Sequence, residues 1–192
     1  MELVRGWTRH QGIALSQRAL QAEGDDPIVL AWVAAALTNF DQDVAPTIGL
    51  IDRALALNPS YAIAWRVSGW VRVAAGDAER AIADFTTADR LDPRSGRQFN
   101  LAGIGIAHFL ARRLDQAAAS LLASIRLLPS YVTPYYYLAA SYAHLGRRED
   151  ARDTIRQLAT LTTPAAEPLV LKPQPAELRE LFLSGLRLAL GE

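Results

Sequence analysis

Pro59-Ser60-Tyr61-Ala62-Ile63-Ala64-Trp65 and Pro129-Ser130-Tyr131-Val132-Thr133-Pro134-Tyr135 open alike, with Pro-Ser-Tyr followed by a large aromatic residue six positions after the proline. Between them lies Leu91-Asp92-Pro93, so three prolines stand 34 and 36 residues apart. A similar run with apolar residues at helical spacing precedes each proline: Asp52 to Leu57, Thr87 to Leu91, and Ala123 to Leu127. Proline cannot continue a helix, so each one closes a unit. A period near 34 residues with a closing proline predicts stacked helical hairpins, each too small to bury its apolar face alone.

Working outward, four units follow: residues 27–59, 60–93, 94–129 and 130–164. In the second, Trp65, Gly69, Ala81, Phe85, Ala88 and Pro93 alternate bulky and small residues, with Gly76-Asp77 as the turn. The fourth gives Tyr135, Leu138, Ala139, Tyr142, Ala151 and Ile155, and the third Leu101, Ile104, Gly105, Ala117 and Leu121. The first fits with one extra residue between Phe40 and Val44: Leu30, Val33, Ala34, Leu37, Ala54 and Pro59. Small residues let helices approach, and the bulky ones fill the gaps between units. Ser68, Arg72 and His108 depart from the pattern, standing where bulky apolar residues are expected.

This pattern over residues 27–164 resembles the tetratricopeptide repeat (TPR) family. More narrowly, Gly49 to Pro59, Ser68 to Arg72, Ala102 to Leu110 and Leu181 to Arg187 look like the C-terminal repeat region of certain bacterial signalling proteins. In those proteins the repeats follow a class III adenylate/guanylate cyclase domain or a winged-helix transcriptional-regulator domain. The resemblance implies an all-α, right-handed superhelix whose first helices line an inner groove. It also implies a non-catalytic protein–protein interaction module, the C-terminal part of a larger bacterial signalling or regulatory protein in the cytoplasm. An alternative is an oligomerisation element that dimerises an upstream cyclase or DNA-binding domain.

At the ends, residues 1–26 read as a partial leading unit, a second helix over 7–22 without its first. An expressed fragment of a longer protein is the simplest reading of that start. Residues 165–192 read as an extended stretch, rich in proline, and a final helix from about Pro175 to Leu190, all within one domain. Leu178, Leu181, Phe182 and Leu188 are expected on one side of that helix, with Leu183, Leu186 and Leu190 around the rest. A capping helix should be polar outside. An apolar one wants a second surface, either its own array's groove or another protomer. Leu178, Leu181, Phe182 and Leu186 are the expected groove-filling or self-association residues.

Composition narrows the alternatives. The 192 residues are 51% hydrophobic, and 20 basic side chains balance 20 acidic ones. That neutrality argues against a nucleic-acid or anionic-membrane binder, which carries a basic excess. With no cysteine, disulfide scaffolds and thiolate zinc sites are excluded. No uninterrupted apolar run reaches the ~18 residues of a membrane span. The start, Met1-Glu2-Leu3-Val4-Arg5, lacks a secretory layout.

Nothing in the chain assembles chemistry. His10, His108 and His144 show no metal-binding spacing, and no metal or cofactor is expected. Gly103-Ile104-Gly105 lacks the preceding strand and third glycine of a dinucleotide fingerprint, and packing explains it. Asp25-Asp26, Asp41 with Asp43, and Glu149-Asp150 fall at turns and helix starts, where carboxylates cap free amides; Asp77 and Asp115 read alike. No nucleophile elbow or paired serine–lysine motif occurs.

Repeat positions two, five, nine and twelve of the first helices define the expected groove. They are Ile28, Ala31, Ala35 and Thr38; Ile63, Arg66, Trp70 and Val73; Phe99, Ala102, Ile106 and Phe109; and Thr133, Tyr136, Ala140 and Ala143. The family's carboxylate-clamp lysines and asparagines are replaced here by apolar or small residues. The expected partner-binding residues are therefore Arg66, Trp70 and Val73, with Phe99, Ile106, Phe109 and Tyr136, since aromatic and arginine side chains dominate interface energetics. The expected partner is a protein, a peptide or a second copy of the chain.

Overall fold

The computed structural model describes residues 9–40, 44–161 and 175–191. Among them lie ten helices and no strand: α1 (Arg9–Glu23), α2 (Pro27–Phe40), α3 (Ala45–Leu57), α4 (Ala62–Ala75), α5 (Ala78–Leu91), α6 (Arg97–Leu110), α7 (Leu114–Leu127), α8 (Thr133–His144), α9 (Arg148–Leu161) and α10 (Ala176–Leu190). Helices α2 to α9 pair as four hairpins, and each first helix packs on the next: α2 on α4, α4 on α6, α6 on α8. Helix α1 packs on α2.

The proline-centred stretches earn their place through one recurring bond. The Trp65 indole donates from Nε1 to the Pro59 carbonyl at 2.8 Å, and the Tyr135 hydroxyl donates to the Pro129 carbonyl at 2.9 Å. In both units the aromatic residue six positions on thus satisfies a carbonyl that the proline turn leaves free. The turns are further closed by Asn58 and Asp92, whose side chains accept from the amides of Ser60 and of Arg94 and Ser95. At the hairpin bend, Gly76 takes φ +80°, a left-handed cap that ends α4. Asp77 then accepts from the Arg80 amide and starts α5.

The hairpins interlock through large-into-small packing. The fully buried Phe85 ring lies where any side chain on Gly69 or Gly103 would collide with it, so two neighbouring first helices close on one ring. Trp70 meets Phe85 edge-on at 5.1 Å between centroids. The core forms two clusters. One joins α2, α3 and α4 around Leu30, Ile51 and Val71; the other runs from α4 to α10 around Phe85, Phe109, Leu121, Tyr137 and Phe182.

Several sequence expectations need correction or placing. The leading helix is described over Arg9–Glu23, and its expected start at residue 7 lies outside the described residues. Pro175 stands just outside α10 as its cap rather than inside its first turn. Leu188 is 45% exposed, not on the packed side of α10, whereas Leu186 is half-buried against the core. The extra residue of the first unit, Asp41 with Asp43, and the proline-rich stretch before Pro175 lie outside the described residues.

Candidate protein-interaction groove

The face lined by the first helices carries two rows of side chains, and the structure treats them differently. Positions nine and twelve form one row, positions two and five the other. Helix α10 returns over this face. Pro175 and Leu178 lie against Gly76 at the end of α4, Gly185 lies against Ala140 and His144 of α8, and the far end reaches Arg152 of α9. A helix of 15 residues is about 22 Å long, enough to cross from the second unit to the fourth.

The nine-and-twelve row is closed where α10 passes. Val73, Ile106 and Phe109 are fully buried and share a cluster with Leu181 and Phe182; Leu178 and Leu186 pack on its margin. The aromatic side chains form a chain: Phe109 meets Tyr137 edge-on at 5.4 Å, and Tyr137 lies 4.5 Å from Phe182. A Cβ on Gly185 would sit 2.7 Å from the Ala140 Cβ and 2.8 Å from the His144 Nε2, so the helices touch there. The His144 ring is tied to the Leu181 carbonyl at 2.8 Å.

The two-and-five row keeps part of its surface in solvent. Ile63, Arg66, Phe99, Thr133 and Tyr136 are half-buried, and Ile28 is 49% exposed. Arg66 is fixed rather than free. Its Nε donates to the Asn100 Oδ1 at 2.8 Å and its Nη2 to the Ser95 carbonyl at 2.6 Å. Burial lowers the affinity of this guanidinium for its proton, and Asp92 and Asp89 nearby offset part of that. Phe99 is held edge-on by Tyr131 at 5.2 Å. Of the seven expected partner-contacting residues, Arg66, Trp70, Phe99 and Tyr136 therefore retain exposed surface, while Val73, Ile106 and Phe109 retain none.

On the opposite face, the residues that broke the repeat pattern make a polar seam. Arg72 is only 7% exposed and its Nη2 lies 2.5 Å from Asp52 of α3, while Ser68 donates to Asp84 of α5 at 2.6 Å. Burial raises the Asp84 carboxyl above its usual range, and the Ser68 hydrogen bond and Arg72 oppose the shift. Together with Leu55, Trp65 and Arg80 these groups line a cleft of about 440 Å³. One unit on, Arg113 pairs with Glu79 at 2.8 Å beside His108, whose buried Nδ1 has no partner. Burial, then the Arg113 charge, lowers the His108 pKa, and Glu79 acts against them. The seam was legible only as a departure from pattern, because the partner carboxylates come from neighbouring helices.

The remaining polar groups do structural work. Asp26 accepts from the Ile28 and Val29 amides and caps α2. Asp150 pairs with Arg147, Glu149 with Arg152, and Asp115 stands in the first turn of α7. Arg147 also lies 4.2 Å from the Tyr142 ring centre. Among the described residues no group of three or more His, Asp or Glu converges as a metal site.

No family model and no curated protein matches the chain. Solved structures do. The thermophilic TPR protein TTC0263 of Thermus thermophilus superposes at TM-score 0.69 with 22% identity, covering 93% of this chain and 90% of that one. The type IV pilus biogenesis factor PilW gives 0.70 at 19% identity, covering 100% and 86%. YrrB, a TPR protein with an unusual peptide-binding site, gives 0.59 at 18% identity, covering 92% and 91%. These likenesses fix the fold: the chain has the all-α, right-handed superhelical architecture of tetratricopeptide repeats.

Proposed function

We propose that the chain is a non-catalytic protein–protein interaction scaffold that binds a helix or an extended peptide along the two-and-five row of its first helices. The observation that carries this reading is the half-open strip of Arg66, Phe99 and Tyr136 on that row, bordered by the partly exposed Trp70 of position nine, beside the part of the nine-and-twelve row that α10 has closed. Arg66 is pre-positioned by Asn100 and Ser95, so little side-chain entropy is lost on binding. The peptide-binding site of YrrB, a fold neighbour, supports the mode of action. We read residues 1–26 as a partial leading repeat and 27–59, 60–93, 94–129 and 130–164 as four units, with 165–192 as the covering segment of the same domain. We place the chain in the C-terminal part of a larger bacterial, cytoplasmic signalling or regulatory protein, a setting supported by the motif resemblance. No described helix is long and apolar enough to cross a membrane.

The test is selection of peptides from a displayed library on the full chain, followed by affinity measurement on variants. Trp70→Ala is expected to weaken selected ligands by about 2 kcal/mol, and Arg66→Ala to weaken those with an acceptor facing it. Unchanged affinities in both variants would move the site off this strip. The oligomerisation reading is favoured by the apolar residues that α10 leaves exposed, Leu183, Leu188 and Leu190. Light scattering separates the readings: a dimer that becomes monomeric when the chain ends at Thr163 supports dimerisation through α10, and a monomer in both forms removes it.

A further inference from the structure

The cleft on the face opposite the groove comes from a change in one unit of the repeat. Positions seven and eleven of the first helices read, in chain order, Val33 and Leu37, Ser68 and Arg72, Ile104 and His108, and Leu138 and Tyr142. In the second unit alone neither residue is apolar. Ser68 is 1% and Arg72 7% exposed, so the exchange sets two polar side chains into the floor of a cleft of about 440 Å³. Its walls are Asp52 and Leu55 of α3, Trp65 of α4, and Arg80 and Asp84 of α5. These three helices are consecutive and described from end to end, so the cleft belongs to the interior of the array and not to an end of it.

Four charged residues line the cleft, and three of them have charged partners. Arg72 pairs with Asp52, and Arg80 with Asp77 beyond the lining at 3.6 Å. Asp84 differs. Its Oδ2 accepts from the Ser68 hydroxyl at 2.6 Å, and among the described residues it has no ion pair. Burial is the main force against its charge; Arg72 favours that charge, and Asp52 and Asp77 oppose it. A half-buried carboxylate held by a hydroxyl alone is costly until a cation joins it. In the same cleft Leu55 and Trp65 supply apolar surface, and the Trp65 ring is fixed by its bond to the Pro59 carbonyl. We propose that this cleft binds an alkylguanidinium, with the planar cation on Asp84 and the alkyl stem on Leu55 and Trp65. A guanidinium suits the site better than an ammonium. It is more weakly hydrated, offers a carboxylate a fork of donors and stacks on an aromatic ring. The group can come from a free small molecule or from an arginine side chain of a protein partner. The site is separate from the two-and-five strip, and either can fail without the other.

The experiment follows the Trp65 indole N–H of the full chain by proton–nitrogen NMR, assigned with Trp65→Phe, during titration with butylguanidinium. Butylurea, its neutral isostere, is the control, and the other three of the four tryptophans are internal references. A saturable shift is expected, largest at Trp65, with butylurea binding at least tenfold more weakly. Asp84→Asn is expected to weaken butylguanidinium at least tenfold without lowering the melting temperature, since it keeps the shape and removes a half-buried charge. Ser68→Leu, which restores a bulky residue at position seven, is expected to abolish binding, and Trp70→Ala to leave it unaltered. Equal affinity for butylurea, equal affinity in Asp84→Asn, or shifts that do not saturate overturn the proposal, and the butylurea comparison needs no variant. A second arm separates the two sources with a capped Gly-Arg-Gly peptide and its citrulline counterpart. Tighter binding of the arginine peptide than of butylguanidinium assigns the site to a protein side chain. Equal or weaker binding assigns it to a small molecule.

Discussion

The two ends of this array are built from the same repeat and finished differently. At the C-terminal end α10 packs on α8 and α9, sinks Phe182 to 1% exposure and reaches back to the end of α4. At the N-terminal end α2 leaves Ile28 and Trp32 half in water. In a stack, each unit is packed by its neighbours, so two residues with the same sequence role differ in energy when the helices opposite them differ. Closure is therefore a property of the neighbour rather than of the residue.

The largest expected consequence of that contrast is at Phe182. Phe182→Ala should cost about 3–5 kcal/mol in urea unfolding, because it empties a site against Tyr137 that cannot collapse. A cost under about 1 kcal/mol would show that α10 is only loosely seated and would erase the difference between the ends. Gly185→Leu comes next, at about 1–3 kcal/mol, since the added side chain meets Ala140 and His144. Gly105→Leu, against Leu121, serves as an interior reference of the same expected size.

A smaller effect is expected from pH. His108 is held below its ordinary pKa by burial and by Arg113, with Glu79 opposing, so the folded chain prefers the neutral ring. A group depressed in the folded state contributes stability that is complete above its unfolded pKa, near ~6.5 for histidine. That contribution is lost as pH falls below this value. The wild type should therefore lose more stability between pH 7.5 and pH 5.5 than His108→Leu does, and parallel curves would remove His108 from the account. The smallest effect belongs to the open end. Trp32→Ala should change stability by no more than about 0.5 kcal/mol, as exposed side chains do. A loss comparable with Phe182→Ala would mean that the N-terminal flank is already covered in solution.

How much was legible in advance varies by element. The hairpins around Pro59, Pro93 and Pro129 follow from local chemistry: a proline stop, an Asn or Asp turn, and an aromatic residue six positions on. Even the bond from Trp65 to Pro59 is a short-range event: an indole N–H can only donate, although which carbonyl accepts is not visible in residue type alone. The groove was legible as four positions per first helix. Its division into a closed row and a half-open row was not, because the covering helix sits far along the chain. Val73, Ile106 and Phe109 read from their repeat positions as surface, and α10 and its neighbours made them core. Ser68, Arg72 and His108 read as faults in the pattern; Asp52, Asp84, Glu79 and Arg113 turn them into paired or neighbouring polar groups across helices.

By itself, the sequence determined the repeat, its register, the turns and the helical class, because each depends on residues within one period of one another. It also determined that α10 would be apolar around most of its circumference. Only the tertiary structure decided which apolar residues are buried, since burial depends on the helix that happens to lie opposite. It placed Phe182 in the core and Trp32 in water, although both are aromatic residues on helices of the same length within one residue. That choice rests on long-range contact, which no local pattern encodes.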